Sequence, residues 1–501
     1  MNHIVKRIAI LSGVFAAALG VFFFANNRWN RGQEQAVYID MEAATLPSVT
    51  VQMLGRDMNR LYGYRQEMNS VAAGETLTIL PPDRALELNI EGTGVTGISY
   101  EVRSMDRARL VEKTEVPDWQ QTENGITAIL PIQNLLTKER EYQLKLQLDT
   151  EAAGPVYYYT RILWTDAQEH ARAMVDLAAD FSMKTFDYEQ ARSLTTYLES
   201  SPAEDNTTFG HTSIHSSFSQ LTWGKLGMQP EEPVEIRLKE LDGVMCGIQL
   251  SYQAKRQDEE GTETYEVEED FTMKWNELRI YMMQYDRTVN QIFAGDRSEF
   301  SGKRILLGIT GDDRIELVKS AGGRVSVFRV DRDLWSYEPG ARRAVQIFSF
   351  RDDDSTDVRC NYDHHDVKIL SVEDSGDVDF LVYGYMNRGN HEGENGIAGY
   401  HYSAGDNALE ERYFIPYSGS YEQLAADLNQ LASQTSGGML YLYVDHAVYG
   451  IDMNSRENMV VADSLEEGTF AVSSDKKRIA WQEGSLYGSK VLHLMDLESG
   501  E

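Results

Sequence analysis

The chain is expected to be mainly β and multidomain, with an N-terminal transmembrane helix, an immunoglobulin-like β-sandwich, an α+β module and a C-terminal β-propeller. Three observations predict this. Ile8 to Ala25 is the only run that is apolar, uncharged and long enough to cross a bilayer. From Ala36 to about Trp164, short segments alternate apolar and polar residues, the two-residue period of half-buried strands. Beyond about Lys303, strand-like segments end near Phe350, Tyr402, Met453 and Leu497, and their spacings of 52, 51 and 44 residues match the period of propeller blades.

As a helix, the eighteen residues of Ile8–Ala25 would span about 27 Å, close to the hydrocarbon thickness of a bilayer. Lys6 and Arg7 precede the run and Arg28 and Arg31 follow it, a slight bias toward a cytoplasmic 1–7 segment. A cleaved signal peptide is the competing reading, but Phe23 stands at the −3 position where a cut after Ala25 needs a small residue, and the earlier Ala16 and Ala18 would leave a short apolar region. An uncleaved anchor at residues 8–25 is therefore expected, with a polar linker at 26–35. The protein would be single-pass in the cell membrane, the bulk of it extracytoplasmic.

Of the 501 residues, 42% are hydrophobic, enough for several cores. The net charge of −32 is spread along the chain and reads as a solubilising surface. It excludes nucleic acid and anionic lipid surfaces as partners, because either would be repelled. Cys246 and Cys360 lack metal-ligand spacing and are expected to be buried free thiols.

The sandwich is placed at 36–164, on strands such as Leu77–Leu80, Ala85–Ile90, Ile98–Val102 and Tyr142–Leu148. The period then changes. Thr165-Asp166-Ala167-Gln168 has the form of a capping box, followed by Ala171, Val175, Ala178 and Phe181 on one helical face. A second helix is expected from Asp187, with Gln190 in its first turn and Ala191, Leu194 and Leu198 along its buried stripe. Strands Val234–Leu238, Ile248–Tyr252, Phe271–Trp275 and Leu278–Met282 follow, with Asp242-Gly243 as a tight hairpin signal and Gly261 as a looser turn. Together they make an α+β module at 165–295.

The propeller-like region is placed at 303–501, with Tyr421 to Ala432 as a helical insertion between two blades. Its last unit runs Phe470-Ala471-Val472-Ser473-Ser474-Asp475-Lys476-Lys477-Arg478-Ile479-Ala480-Trp481 and closes on Asp496 and Gly500. This resembles the blade of TolB-like propellers, in which a strand enters a turn containing Asp and a later strand closes on Asp and Gly. Ser474-Asp475-Lys476 stands where that family usually has Pro-Asp-Gly. Four blades are few for this class and the sequence stops on turn residues, so further blades or another domain are expected beyond Glu501.

Candidate sites are few. Glu373-Asp374-Ser375-Gly376-Asp377-Val378-Asp379 has alternate carboxylates but lacks the calcium-loop pattern and reads, like Asp352-Asp353-Asp354, as an acidic turn. Asp363-His364-His365-Asp366, with His391 and His401, reads as loop histidines; adjacent histidines on a strand face opposite ways, so only one of the pair can join a cluster. The glycine-rich stretch Tyr383–Gly393 is the most distinctive, and Asn387, Arg388, His391 and Glu392 are its candidate ligand-binding residues. Asn206-Thr207-Thr208 fits a glycosylation acceptor. No catalytic motif, metal site or cofactor is expected, because no serine elbow, zinc helix, phosphate loop or dinucleotide fingerprint occurs.

The leading function is accordingly non-enzymatic: an anchored ectodomain that binds, scaffolds or senses a protein or glycan outside the cell. The alternative is enzymatic, since membrane-anchored serine peptidases of the dipeptidyl-peptidase type resemble this plan and place a hydrolase domain after the propeller.

Overall fold

The structure, a computed structural model, describes residues 37–38, 41–68, 74–123, 125–133, 136–257, 261–295, 299–301, 304–312, 314–341, 343–352, 357–453, 455, 457–466, 468–484 and 489–501. The anchor segment Ile8–Ala25 and the linker 26–35 lie outside these residues. Among the described residues no helix is long and apolar enough to cross a membrane.

The alternating segments of the first part become two five-stranded sheets packed face to face. One is ordered Arg56–Leu61, Ser48–Met53, Ala85–Glu91, Gly125–Pro131 and Trp119–Gln121. The other is ordered Leu77–Ile79, Gly154–Leu163, Glu141–Thr150, Val95–Ser104 and Leu110–Glu115. Every second residue points inward, so Val49, Val51, Leu86, Leu88 and Ile90 of one sheet meet Tyr100, Val102, Leu144, Leu146 and Leu148 of the other, all buried.

Helix Gln168–Lys184 lays Ala171, Met174, Val175, Ala178 and Phe181 into the core. The Thr165 capping box does not close. Ala167 holds the N-cap position without a side-chain bond, Thr165 Oγ1 accepts from Ala167 N at 3.0 Å, and Gln168 Nε2 reaches Leu80 O in the sandwich at 2.7 Å. The Gln168 side chain is thus turned to donate to the sandwich, whereas a capping box would have its oxygen accept from Thr165 N. Asp187 does cap as read, accepting from Glu189 N at 3.0 Å and Gln190 N at 3.1 Å, but the helix it starts is one α turn, Tyr188–Ala191, running into the 3₁₀ segment Arg192–Thr196. Strands Glu235–Asp242, Met245–Gln257, Thr262–Trp275 and Ile280–Gln291 form the meander, with Gly243 at φ +57° in the first turn. The last strand begins at Ile280 rather than Leu278, whose side chain is 91% exposed in the turn. A single apolar core runs from Leu46 through the sandwich and the helix to Tyr285.

The last part is a succession of antiparallel meanders. The first holds Leu317–Lys319, Ser326–Val330, Asp333–Glu338 and Arg343–Phe348; the second His365–Val372, Val378–Tyr385, Asn395–Ser403 and Ala408–Pro416. The third holds Ala432–Gln434, Met439–Val444, Ala447–Asp452 and Asn458–Ala462, and the fourth Phe470–Val472, Arg478–Glu483 and Val491–Asp496. Each is a blade-like unit. The spacing read from the sequence needs one correction: Tyr402, Met453 and Leu497 close third strands, whereas Phe350 follows the fourth strand of the first unit. Val37–Tyr38 pairs in parallel with that same fourth strand, Val37 opposite Val345, so these residues join the first blade and not the sandwich. Helix Tyr421–Gln430, capped by Ser420, lies between the second and third units as expected.

Cys246 and Cys360 are buried and unbridged, and burial pushes both thiols up to about 12, which keeps them protonated and unreactive.

Candidate functional site

The polar face of the central meander supplies one wall of the candidate site. On strand Thr262–Trp275, Tyr265, Val267, Glu269, Phe271 and Met273 are buried on one face, and alternation places Glu266, Glu268 and Asp270 on the other. Sheet register sets Glu268 beside Ser251 and Thr288, and Glu266 beside Gln253 and Asn290. The opposite wall comes from the first and second blade units: the tight turn between Ser326–Val330 and Asp333–Glu338, where Asp331 adopts φ +52°, and the segment Asp363 to Asp366, which runs into the first strand of the second unit. Between the walls is a cleft of about 470 Å³, with nine acidic side chains facing four basic ones.

The arginines of this cleft are all matched. Arg332 Nη2 lies 3.0 Å from Glu266, Arg329 Nη1 lies 3.0 Å from Asp366, and Arg237 lies 3.6 Å from Glu235 and 3.7 Å from Asp363. Arg351, just behind the wall, bonds Asp333 at 2.6 Å and Glu266 at 2.9 Å, and also pairs with Asp331. Despite the cost of burial, Asp331 is held low by Arg332 and Arg351, and Asp363 is held well below the usual carboxylate range by His364 and Arg237. Burial and the nearby arginines Arg332 and Arg351 keep His365 neutral, with its Nδ1 3.0 Å from Tyr362 O.

Among the described residues, three acids of the cleft have no cation within ion-pairing distance: Glu232, which is exposed, and Glu268 and Asp312, which are half-buried. Glu268 accepts from Gln249 Nε2 at 2.9 Å; burial first, then Asp363 and Asp270, push it up to about 7 against the pull of Arg237 and Arg332. Asp312 keeps a buried Oδ2 with no hydrogen-bond partner, and burial raises it too. In this cleft a cation would find acceptors already in place.

The structure puts the candidate residues of the glycine-rich stretch elsewhere. Asn387, Arg388, His391 and Glu392 come together in the loop between strands Val378–Tyr385 and Asn395–Ser403, and none lines the cleft. Asn387 donates to Cys360 O at 2.8 Å and Tyr362 O at 2.9 Å. Arg388 donates to the carbonyls of Met41, Ser349 and Arg351, and Glu392 accepts from Thr45 N at 2.7 Å, Thr45 Oγ1 at 2.6 Å and Leu46 N at 2.8 Å. His391 sits between Glu394 and Glu411, each at 2.9 Å, stacked on Phe414. This loop grips the segment entering the sandwich.

The histidines do not gather either. His401 pairs with Asp379 at 2.7 Å, and His364 and His365 diverge as adjacent residues should. They are held by carboxylates and carbonyls, not left in open loops; Asp363 and Glu75, against the cost of burial, push His364 up to about 10. In the Glu373–Asp379 turn, Gly376 takes φ +97°, while Asp374 accepts from Gly322 N and Asp377 from Ala404 N, both at 2.8 Å. Asp353 and Asp354 lie outside the described residues. Asn206 is exposed. Among the described residues, Glu75, His364 and Glu422 are the group whose ligand atoms come close enough to hold a metal ion.

Sequence reasoning missed Glu266, Glu268 and Asp312. The signal was present as Glu266, Glu268 and Asp270 alternating with buried residues, a pattern that otherwise reads as a solvent-facing strand edge.

No family model matches the chain, and no curated protein matches it. Solved structures similar to it include TolB from Acinetobacter baumannii, at 10% identity over 76% of each chain with a TM-score of 0.22. The β-propeller domain of the trilobed protease from Pyrococcus furiosus is similar at 14% identity and a TM-score of 0.21, over 52% of this chain and 82% of that domain. A Mycobacterium tuberculosis puromycin-hydrolysing peptidase is similar at 10% identity and a TM-score of 0.24, over 53% of this chain and 44% of its own. Scores this low give no single neighbour weight, and the blade-like organisation rests on the sheets themselves.

Proposed function

We propose that this chain is a membrane-anchored, extracytoplasmic binding protein whose cleft takes the ammonium or guanidinium groups of a partner protein's basic segment. The anchor reading rests on Ile8–Ala25 and on the acidity of the remainder. A β-rich architecture suits binding and hydrolytic roles alike, so the choice rests on the cleft. The observation that carries it is the pair of half-buried carboxylates, Glu268 and Asp312, that line the cleft with no cation within ion-pairing distance among the described residues, while every arginine there is already matched. A buried acid without a partner cation costs stability, and a ligand that supplies one recovers it.

The test is fluorescence anisotropy with a labelled lysine- and arginine-containing peptide and its acetylated, citrulline-substituted counterpart. The charged peptide is expected to bind, more weakly as salt rises. The E268Q and D312N changes together should weaken it by about tenfold or more, about 1.4 kcal/mol. Equal binding of the neutral peptide, or of the double variant, would remove the proposal.

A further inference from the structure

A second polar site lies beside the cleft, where three separate parts of the chain meet. Glu75 precedes the sandwich strand Leu77–Ile79, His364 precedes the second blade unit, and Glu422 sits in the first turn of helix Tyr421–Gln430. His364 Nε2 lies 2.6 Å from Glu75 Oε1 and 3.7 Å from Glu422 Oε1, and the three ligand atoms all fall within 4.8 Å of one another.

The imidazole is fixed for this role by its other side. Nδ1 is 2.7 Å from Asp363 Oδ1, and the ring is stacked on Tyr362 at 4.5 Å and tilted against Tyr421 at 5.5 Å. A carboxylate on one nitrogen of a metal-binding histidine sets the ring and raises the basicity of the other. The site also holds an independent mark of a missing ligand. Glu75, His364 and Asn395 line one small cavity of about 10 Å³, room for a single ion or water. Asn395 is 3% exposed, donates its amide to Gly419 O at 3.0 Å, and leaves Oδ1 buried with no partner. A buried acceptor without a donor is rare and calls for something that fills it.

We propose that Glu75 and His364, which line this cavity with Asn395, bind together with Glu422 at its edge a first-row divalent transition ion, Zn²⁺ being the probe. One imidazole with two carboxylates suits zinc or manganese, whereas calcium and magnesium prefer all-oxygen shells. Tetrahedral zinc with bonds of about 2.0–2.1 Å separates its ligand atoms by about 3.3 Å. The 2.6 Å contact must therefore open and the 3.7 Å contact close, each by less than 1 Å, which side-chain rotation supplies. The ion takes the place of the proton between His364 and Glu75, which is released to solvent. Because the ligands come from the sandwich, a blade unit and the inserted helix, the bound ion pins these three together.

The experiment uses the full chain, freed of metal by a chelator. Zn²⁺ is titrated calorimetrically, and Co²⁺ is added as a spectroscopic stand-in. One equivalent should bind, with visible d–d bands for Co²⁺ and a melting temperature that rises with Zn²⁺ but not with Ca²⁺ or Mg²⁺. E75Q should abolish binding. E422Q, at an exposed position that leaves folding intact, should weaken it at least tenfold. Absence of saturable Zn²⁺ and Co²⁺ binding at millimolar ion would overturn the proposal, as would affinity unchanged in folded E422Q. Either result leaves the basic-peptide reading of the cleft standing, because Glu268 and Asp312 are not part of this site.

Discussion

Glu268 shows how burial, with two neighbouring carboxylates, can give an ordinary residue type an unusual role. Its carboxyl, pushed up to about 7 from the ordinary 4.5, holds a proton in the folded protein where the unfolded chain has lost it. A group raised in this way contributes its full stability below pH 4.5 and loses it as pH rises through about 7. Across that window the native state should lose on the order of 2–3 kcal/mol from this residue. E268Q, which cannot ionise, should remove that part of the pH dependence and be more stable than the wild type at pH 8 relative to pH 4.5. Urea denaturation at the two pH values checks this, and an unchanged difference would mean that Glu268 stays solvated. The four residues of the glycine-rich loop carry the opposite lesson. Asn387, Arg388 and Glu392 have the chemistry of a binding site, yet the hydrogen bonds they make go to the chain's own groups, mostly backbone, with Asn387 Oδ1 and Arg388 Nε left buried without a partner. Only the partner of a polar group tells these cases apart.

At the scale of elements, the departure of Ser474-Asp475-Lys476 from Pro-Asp-Gly has a structural reason. Lys476 adopts φ +57°, the left-handed conformation for which glycine is the usual choice. Its side chain compensates, because Nζ donates to the carbonyls of Asn429, at 2.9 Å, and Gln430 at the C-terminal end of helix Tyr421–Gln430. A cation there is favoured by the helix dipole and satisfies carbonyls that the helix itself leaves open. K476A, which keeps the strained conformation and loses the cap, should cost about 1 kcal/mol. K476G should fall within about 0.5 kcal/mol of the wild type, since relief of strain offsets the lost cap. Chemical denaturation of both variants decides the matter: K476G as damaging as K476A would mean that strain contributes nothing. The Thr165 capping box is likewise decided by tertiary structure, since the Gln168 side chain is turned to donate to Leu80 O, 88 residues away.

Across the whole molecule, the continuous core from Leu46 to Tyr285 makes a cooperative unit of the sandwich, helix Gln168–Lys184 and the meander. Native-state hydrogen exchange should therefore show the amides of strand Glu141–Thr150 and of that helix opening together, with one denaturant slope. Separate slopes would mean that the two regions unfold independently. The sequence by itself determined the strands, because a two-residue alternation needs no partner to be visible; it likewise showed the Asp187 cap, the Gly243 turn, the inserted helix and the last blade's turn, all of which are local. Only the tertiary structure decided where the sites are. Glu266 and Arg351 meet across 85 residues, and Glu75 reaches His364 and Glu422 from another part of the chain. A polar strand face reads the same whether water or a second sheet covers it. Burial and partner charge, which settle its chemistry, are set by packing between residues far apart in sequence.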